Sequence, residues 1–238
     1  PTKLGIPLGD LVGGVNGPVG ILAALYERSI TGRGRLIDIS LLDGLIGMLA
    51  YLPQLAWFTG EDPEPQGSQH PNLVPYGVFP ASNGSIVIAC LMNSFWANIC
   101  RALGMDDWID DTRFDTLEKR RDARGMVNER ISGATSQKTV NELVDIFTEH
   151  QVPHAPILGV SEALSQPQAV AREMVVETEH RSLGKIPIVN RSIRFPGDPQ
   201  PVPTAPPVLG QHTDEILMDI LGCTSEQIRE LRMSRVVA

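Results

Sequence analysis

Residues 8–25 read LGDLVGGVNGPVGILAAL, an apolar, glycine-rich run that carries a single carboxylate, Asp10. From Val12 to Tyr26 the apolar and small side chains are dense on nearly all sides, which is typical of a buried helix. The glycines lower the helix propensity of this run, but they allow another backbone or a ligand to approach closely. Asp10, at the start of the run, is therefore either a helix cap or a reactive group.

The next segments extend this pattern. Apolar and polar residues alternate over Arg35–Ser40, which predicts a short strand. Leu41–Phe58 is again largely apolar and predicts a helix that is kinked or broken near Pro53. A helix, a strand and a helix with few polar positions predict that residues 1–60 form the end of a large α/β domain. Something else in the protein must cover much of the apolar surface of residues 1–60.

The composition changes after residue 60, which divides the rest of the chain into three predicted parts. Residues 61–75 are rich in Pro, Gly and polar residues and predict a linker with a loop. Residues 76–172 predict a small α+β domain that opens with a hairpin turning at Asn83-Gly84. Its helices are expected over three segments: Phe95–Leu103, Leu117–Ile131 and Thr139–His150. Residues 173–238 predict two strands, a proline-rich extended segment and two short helices in a C-terminal tail.

The charge balance excludes one class of partner. Lys and Arg total 20 against 28 Asp and Glu among 238 residues, for a net charge of −8. Nucleic-acid binding needs a basic face, so no nucleic-acid partner is expected. The most basic stretch, which comprises Glu118, Lys119, Arg120 and Arg121, predicts a solvated helix face.

Cysteine, histidine and hydropathy patterns narrow the compartment and the chemistry. Three cysteines without CxxC spacing, of which Cys90 and Cys100 lie in apolar stretches, indicate buried thiols in a reducing cytoplasm. The five scattered histidines form no metal motif, so no metal is expected. Gly, Pro or charge interrupts each long apolar stretch, so no membrane span is expected.

Short motifs recur in order over nearly the whole chain, and together they resemble the class III CoA-transferases. This superfamily includes formyl-CoA transferase, the carnitine CoA-transferases and the α-methylacyl-CoA racemases. Each motif is weakly specific alone, whereas the ordered set is highly specific. The motifs are Leu8–Asp10, Gly20–Leu25, Thr31–Gly34, Asp38–Asp43, His70–Tyr76, Phe79-Pro80, Val152–Ile157 and Leu209–Leu217.

The resemblance implies an architecture larger than this chain. Family members have a longer N-terminal half with a Rossmann-like fold that supplies most of the CoA-binding surface. This chain resembles the C-terminal portion, with the end of the large domain, a linker, the small domain and a tail that returns to the large domain. Family members form interlocked homodimers, so an interlocked homodimer is expected of a full-length protein. Acyl-CoA and a carboxylic acid are the implied partners, with coenzyme A as a substrate and no tightly bound cofactor.

The same resemblance assigns roles to individual residues. Asp10 matches the family's catalytic aspartate, which attacks an acyl-CoA thioester to give a mixed anhydride and then an aspartyl-CoA thioester. A carboxylate at a helix start also lies among free backbone N–H groups, so capping and catalysis are compatible. Gly67, Ser68, Gln69 and His70 match the position of a glycine-rich lid loop. Formyl-CoA transferase has several glycines there and this chain has one.

Other interpretations of these residues stay open at this point. Residues 67–70 are equally an ordinary flexible linker, and His70 is a base, a substrate contact or a structural residue. His212 and Glu215 are interpreted as serving helix capping and domain docking.

Two other functions stay open as well. The racemase branch uses a small-domain Glu where this chain has Met92, which cannot carry a proton, and this favours transfer. The third alternative is a non-catalytic CoA-binding or structural fragment. An uncovered apolar surface around Val12–Leu25 would indicate an incomplete chain.

Overall fold

A computed structural model describes residues 4–197 and 201–237. The chain divides into two compact units, one formed by residues 1–83 and 87–154 and the other by residues 84–86 and 155–238. The secondary structure mixes helices with small sheets, which agrees with the predicted α/β class. The Rossmann-like character of residues 1–60, the four-part division and the returning tail stay predictions.

The first unit begins with three helices: α1 (Leu8–Thr31), α2 (Leu41–Gly47) and α3 (Leu52–Thr59). Helix α1 packs on α2, and glycines allow the close approach. A Cβ on Gly13 would overlap the Leu41 side chain, and one on Gly44 would lie 2.7 Å from Val12 Cγ1. Helices α2 and α3 meet at a 69° bend, which confirms the predicted break near Pro53.

Helix α1 is not buried by the residues that the structure describes, contrary to the sequence prediction. Val12 is its one buried residue, whereas Val15, Val19 and Leu22 are each more than 60% exposed. These side chains form a continuous apolar face on α1, and none of the described residues covers it. A contiguous exposed apolar surface marks an interaction site, which agrees with the expectation that other protein covers this segment.

Helix α1 bears on the expectation that no segment spans a membrane. Its length and apolar composition are sufficient to cross a bilayer, and it is the one such helix in the described residues, while α2 and α3 would qualify together only as a bent pair. The core helix of a soluble protein meets the same criteria.

The strand predicted over Arg35–Ser40 does not form within the described part of the chain. The segment is irregular, and it joins neither of the two sheets found there. Arg35 instead forms an exposed ion pair with Glu27, with 2.7 Å between Nη2 and Oε1. A strand requires a neighbour that accepts its backbone hydrogen bonds, and this segment has none here.

Residues 74–152 contain the main hydrophobic core of the described chain. Strands β1 (Tyr76–Ala81) and β2 (Gly84–Ala89) flank the predicted turn, and β3 (His154–Pro156) completes a sheet of order β1-β2-β3. The predicted hairpin is confirmed. The helices that surround this sheet are α4 (Asn93–Leu103), a 3₁₀ turn (Asp106–Trp108), α5 (Leu117–Asp122), α6 (Arg124–Thr135) and α7 (Val140–Glu149).

The local signals placed these helices well, with one exception. Helix α4 ends at Gly104 in the left-handed conformation, and Thr139 forms a capping box with Glu142 at the start of α7. The single helix predicted over Leu117–Ile131 is instead divided at Ala123 into α5 and α6.

The second unit has short elements and little core of its own among the described residues. It contains α8 (Val160–Leu164), α9 (Pro167–Ala171), β4 (Val175–His180), β5 (Gly184–Val189), α10 (Thr213–Glu215) with a following π-helical turn (Ile216–Ile220), and α11 (Ser225–Met233). Strands β4 and β5 pair antiparallel with Val175 opposite Val189, which confirms both predicted strands. Ile228 is the one buried residue in the described part of residues 155–238.

Candidate functional site

Asp10 lies in the first turn of α1 but does not cap it. The helix begins at Leu8 and the cap position is Pro7, so the capping interpretation is wrong. The Asp10 side chain is exposed and, within the described residues, makes no hydrogen bond or ion pair. The first helical hydrogen bond runs from the Leu11 N–H to the Pro7 carbonyl, which leaves the N–H groups of Gly9 and Asp10 free. The arrangement is an unengaged carboxylate at the positive end of a long helix.

Helix α2 holds the first turns of α1 in place. A Cβ on Gly9 would lie 3.5 Å from Leu45 Cδ1, and Gly13, almost one turn after Asp10, faces Leu41 at close range. A side chain at Gly13 would require the end of the Leu41 side chain to move. The small residues therefore allow α2 to pack closely on the part of α1 that presents the Asp10 carboxylate.

The four predicted lid residues divide into two pairs. Gly67 and Ser68 are exposed, and Gly67 has a φ of +61°, a conformation that glycine adopts without strain. Gln69 is tied down, because its side-chain NH₂ donates to the Val78 carbonyl at 3.2 Å. Its carbonyl oxygen accepts from the amide of Asn128 at 3.4 Å.

His70 forms the core of a tight turn. Its Nδ1 accepts hydrogen bonds from the backbone N–H of Asn72 at 3.1 Å and of Leu73 at 3.0 Å. The ring stacks between Tyr51 and Tyr76, with centroid distances of 6.2 and 5.1 Å. These contacts support the structural interpretation of His70. Tyr51, which immediately precedes α3, connects that helix to the loop through this stacking.

Protonation of His70 is expected to loosen this turn. Burial, assisted by the nearby positive charge of Arg124, holds the pKa of His70 below its ordinary value of 6.5. The neutral ring is thus favoured in the folded state, and its contribution to stability is complete above pH 6.5 and lost as pH falls through the lowered pKa. We expect the difference in unfolding free energy between wild type and His70→Gln to shrink from pH 7.5 to pH 5.5, as measured by urea titration at each pH. An equal difference at both pH values would contradict this role.

Two arginines that the sequence analysis did not assign to the loop hold it from the small-domain side. Arg124 donates to the backbone carbonyls of His70, at 3.0 Å, and of Pro71. Arg120 donates to the Val74 carbonyl at 3.1 Å. The signal for both was available, since residues 120, 124 and 128 recur at helical spacing and all three reach this loop.

The predicted solvated face is correct for Glu118, Lys119 and Arg121 but wrong for Arg120. The Arg120 side chain is fully buried and lies over the Trp96 ring at 5.3 Å. Besides the loop carbonyl, its guanidinium donates to the Phe114 carbonyl and to Asn93 Oδ1, each at 2.8 Å. Five donors in a planar fork can satisfy three acceptors at once, which is why this cation is tolerated in the core.

The described cysteines offer no competing nucleophile in the core. Cys90 and Cys100 are buried, as predicted, and burial raises the pKa of Cys90 to about 11 and of Cys100 to about 12. Both therefore remain protonated thiols at neutral pH, and a protonated thiol is a poor nucleophile.

The tail residues His212 and Glu215 contact each other at the start of α10. His212 occupies the cap position, and its Nδ1 lies 3.0 Å from Glu215 Oε2 in an exposed pair. The His212 side chain makes no capping hydrogen bond to the helix backbone, so the predicted capping role is not confirmed. A role in domain docking stays a prediction.

Comparison with known proteins identifies the family. The family model described as CoA-transferase family III matches residues 1–213. The chain is 29% identical over 238 residues to succinyl-CoA–D-citramalate CoA-transferase of Chloroflexus aurantiacus, covering all of this chain and 59% of that protein. It is 27% identical to human succinyl-CoA:glutarate CoA-transferase, covering all of this chain and 54% of that enzyme.

A solved structure agrees with these sequence matches. A CaiB/BaiF family protein from Brucella suis superposes with a TM-score of 0.78 at 28% identity, covering 92% of this chain and 57% of that one. The chain thus spans little more than half the length of the proteins it matches. The ordered motifs, the matching fold and the family model agree, and the chain belongs to CoA-transferase family III.

Proposed function

We propose that the protein containing this chain transfers coenzyme A from an acyl-CoA thioester to a free carboxylic acid, with Asp10 as the covalent nucleophile. Family membership supports the reaction class. The observation that carries the residue assignment is the position of Asp10, an exposed and unengaged carboxylate beside free N–H groups at the start of α1.

The proposed reaction needs no reagent beyond its two substrates. A carboxylate oxygen of Asp10 attacks the thioester carbonyl, the C–S bond breaks, and CoA leaves as a thiolate. The thiolate then attacks the aspartyl carbonyl of the mixed anhydride, which releases the donor acid and leaves an aspartyl-CoA thioester. The acceptor carboxylate repeats these steps in reverse order and regenerates Asp10. A carboxylate suits this role because the anhydride is about as activated as the thioester.

The surroundings of Asp10 support this chemistry. Each tetrahedral intermediate places negative charge on an oxygen beside Asp10, where the free N–H groups of Gly9 and Asp10 and the helix dipole would stabilise it. We assign residues 67–70 to the lid that keeps water from the anhydride, with Gly67 and Ser68 as the exposed part.

The uncovered face of α1 supports a larger assembly. The relatives are nearly twice as long as this chain, and we propose that an N-terminal half with a Rossmann-like fold covers Val15, Val19 and Leu22. We further propose an interlocked homodimer in the cytoplasm, in which the C-terminal tail returns to the large domain. This arrangement also accounts for the apolar composition of α1.

The racemase alternative is less well supported. Met92, at the position where the racemases have a Glu, is exposed and precedes α4 without a carboxylate. Within the described residues, no acidic side chain pairs with Asp10.

An assay of the whole protein distinguishes the alternatives. Succinyl-CoA and a panel of dicarboxylic acids in deuterated water should yield new CoA thioesters, without deuterium at the α-carbon of a 2-methylacyl-CoA supplied separately. Deuterium incorporation without CoA transfer would favour the racemase. Neither reaction with any donor would favour the non-catalytic alternative.

A further inference from the structure

The segment from Gly60 to Tyr76 has two halves that differ in how firmly they are held. From the Ser68 carbonyl onward it is tied to β1. The Val78 N–H donates to the Ser68 carbonyl at 3.3 Å and the His70 N–H to the Tyr76 carbonyl at 2.8 Å, and Gln69 pairs with Gly77 as an isolated bridge. Residues 61–66 are almost entirely exposed, and their described hydrogen bonds join near neighbours in sequence.

The exposed half is bounded by two glycines with backbone conformations that favour glycine. Gly60 has a φ of +75° and Gly67 a φ of +61°, and a Cβ on either would meet nothing within 4 Å. Pro63 and Pro65 stiffen the chain between them. The segment from 60 to 67 is therefore a short stiff flap with a glycine at each end.

Arg124 closes the boundary between the halves. One guanidinium reaches two successive carbonyls, those of His70 and Pro71, from the first position of α6. The same turn is held from inside by His70 Nδ1, which accepts two backbone N–H groups. Hydrogen bonds thus hold both the carbonyls and the N–H groups of this turn. The bonds from the charged Arg124 guanidinium are the stronger of the two sets.

We propose that Arg124 is a positioning residue, which anchors the turn at His70 so that motion of the lid is confined to residues 60–67. This inference rests on the proposed function and narrows the predicted lid: Ser68, Gln69 and His70 belong to its fixed base, and Gly67 to its moving part. Because its base is fixed, the flap closes over the aspartyl intermediates in a single position.

Loosening the base has a chemical consequence for the reaction. Water that reaches the mixed anhydride or the aspartyl-CoA thioester adds to a carbonyl and releases the free acid or CoA, which ends the cycle in hydrolysis. The share of acyl-CoA lost to hydrolysis therefore reports on lid closure. The overall stability of the protein does not determine this share.

The test compares Arg124→Met and Arg124→Lys in the whole protein, with Arg121→Met as the control because Arg121 is exposed and pairs only with its neighbour Asp122. We expect Arg124→Met to speed amide exchange at Asn72 and Leu73 at least about tenfold, with the amide of Leu143 unchanged. We expect kcat for transfer to fall about tenfold with little change in KM, and the hydrolysed share of acyl-CoA to rise. Arg124→Lys should lie between wild type and Arg124→Met, and Arg121→Met should match wild type.

Two results would overturn the proposal. Unchanged exchange at Asn72 and Leu73 in Arg124→Met would show that Arg124 does not anchor the turn. Faster exchange there with an unchanged ratio of hydrolysis to transfer would show that the turn is not the base of a lid. Failure of the proposed function is a separate result, namely a wild-type protein that transfers no CoA, and the exchange measurement still decides whether Arg124 anchors the turn.

Discussion

Asp10→Asn is expected to lower kcat for CoA transfer by at least about 10³-fold, because an amide of the same size cannot form the anhydride. Asp10 makes no contact that the substitution would break within the described residues, so the unfolding free energy should stay within about 0.5 kcal/mol of wild type. Initial rates with saturating donor and acceptor measure the first effect, and urea titration measures the second.

The matched control is Glu226→Gln. Glu226 is likewise an exposed carboxylate in the first turn of a helix, here α11, and it has no proposed role in the reaction. Its neutral variant should keep wild-type kcat. A kcat of Asp10→Asn within tenfold of the wild-type value would contradict the assignment of Asp10 as the nucleophile.

Arg120→Ala is expected to lower the unfolding free energy by about 3–5 kcal/mol. The change leaves the carbonyls of Val74 and Phe114 without their charged donor in the core and removes the partner of Asn93 Oδ1. It also opens a cavity against Trp96. Chemical denaturation of the whole protein measures the loss.

Arg121→Ala is the control for Arg120→Ala. The two residues are adjacent in α5, but Arg121 is exposed, so its removal should cost no more than about 0.5 kcal/mol. Arg120→Lys should fall between them, because an ammonium group does not match three acceptors placed for a planar fork. Equal losses for Arg120→Ala and Arg121→Ala would contradict a structural role for the buried guanidinium.

Turn and helix-end residues were sufficient to predict an element where residues nearby in sequence stabilise that element. The Asn83-Gly84 turn placed the hairpin, and Gly104 ended α4. Each signal lies within four residues of the feature it predicts. Alternating residues over Val175–Val189 likewise found both paired strands because their partner is the next strand along the chain.

Long-range partners explain the errors. Arg120 lies in a basic run that is typical of a surface, yet the acceptors that bury it lie on residues 6, 27 and 46 positions away. Arg35–Ser40 alternates like a strand, but no strand in the described residues pairs with it. The burial expected for α1 needs a covering layer that the described residues do not provide.

The candidate site was predictable in part. The ordered family motifs singled out Asp10 and residues 67–70, but charge and spacing could not show that Gln69 and His70 are tied to β1 and α6. The capping interpretation of Asp10 failed because the helix begins at Leu8, two residues before it. Arg124 was overlooked although it is spaced with residues 120 and 128, because its acceptors are backbone carbonyls, which no residue type marks in the sequence.

The most direct test of the central claim is peptide mass spectrometry of the whole protein after incubation with a panel of acyl-CoAs. We expect an acyl or CoA adduct on the peptide that contains Asp10, removed by hydroxylamine and absent in Asp10→Asn. A protein that turns over acyl-CoA and carries its adduct on another peptide, or forms none, would contradict the assignment of Asp10 as the covalent nucleophile.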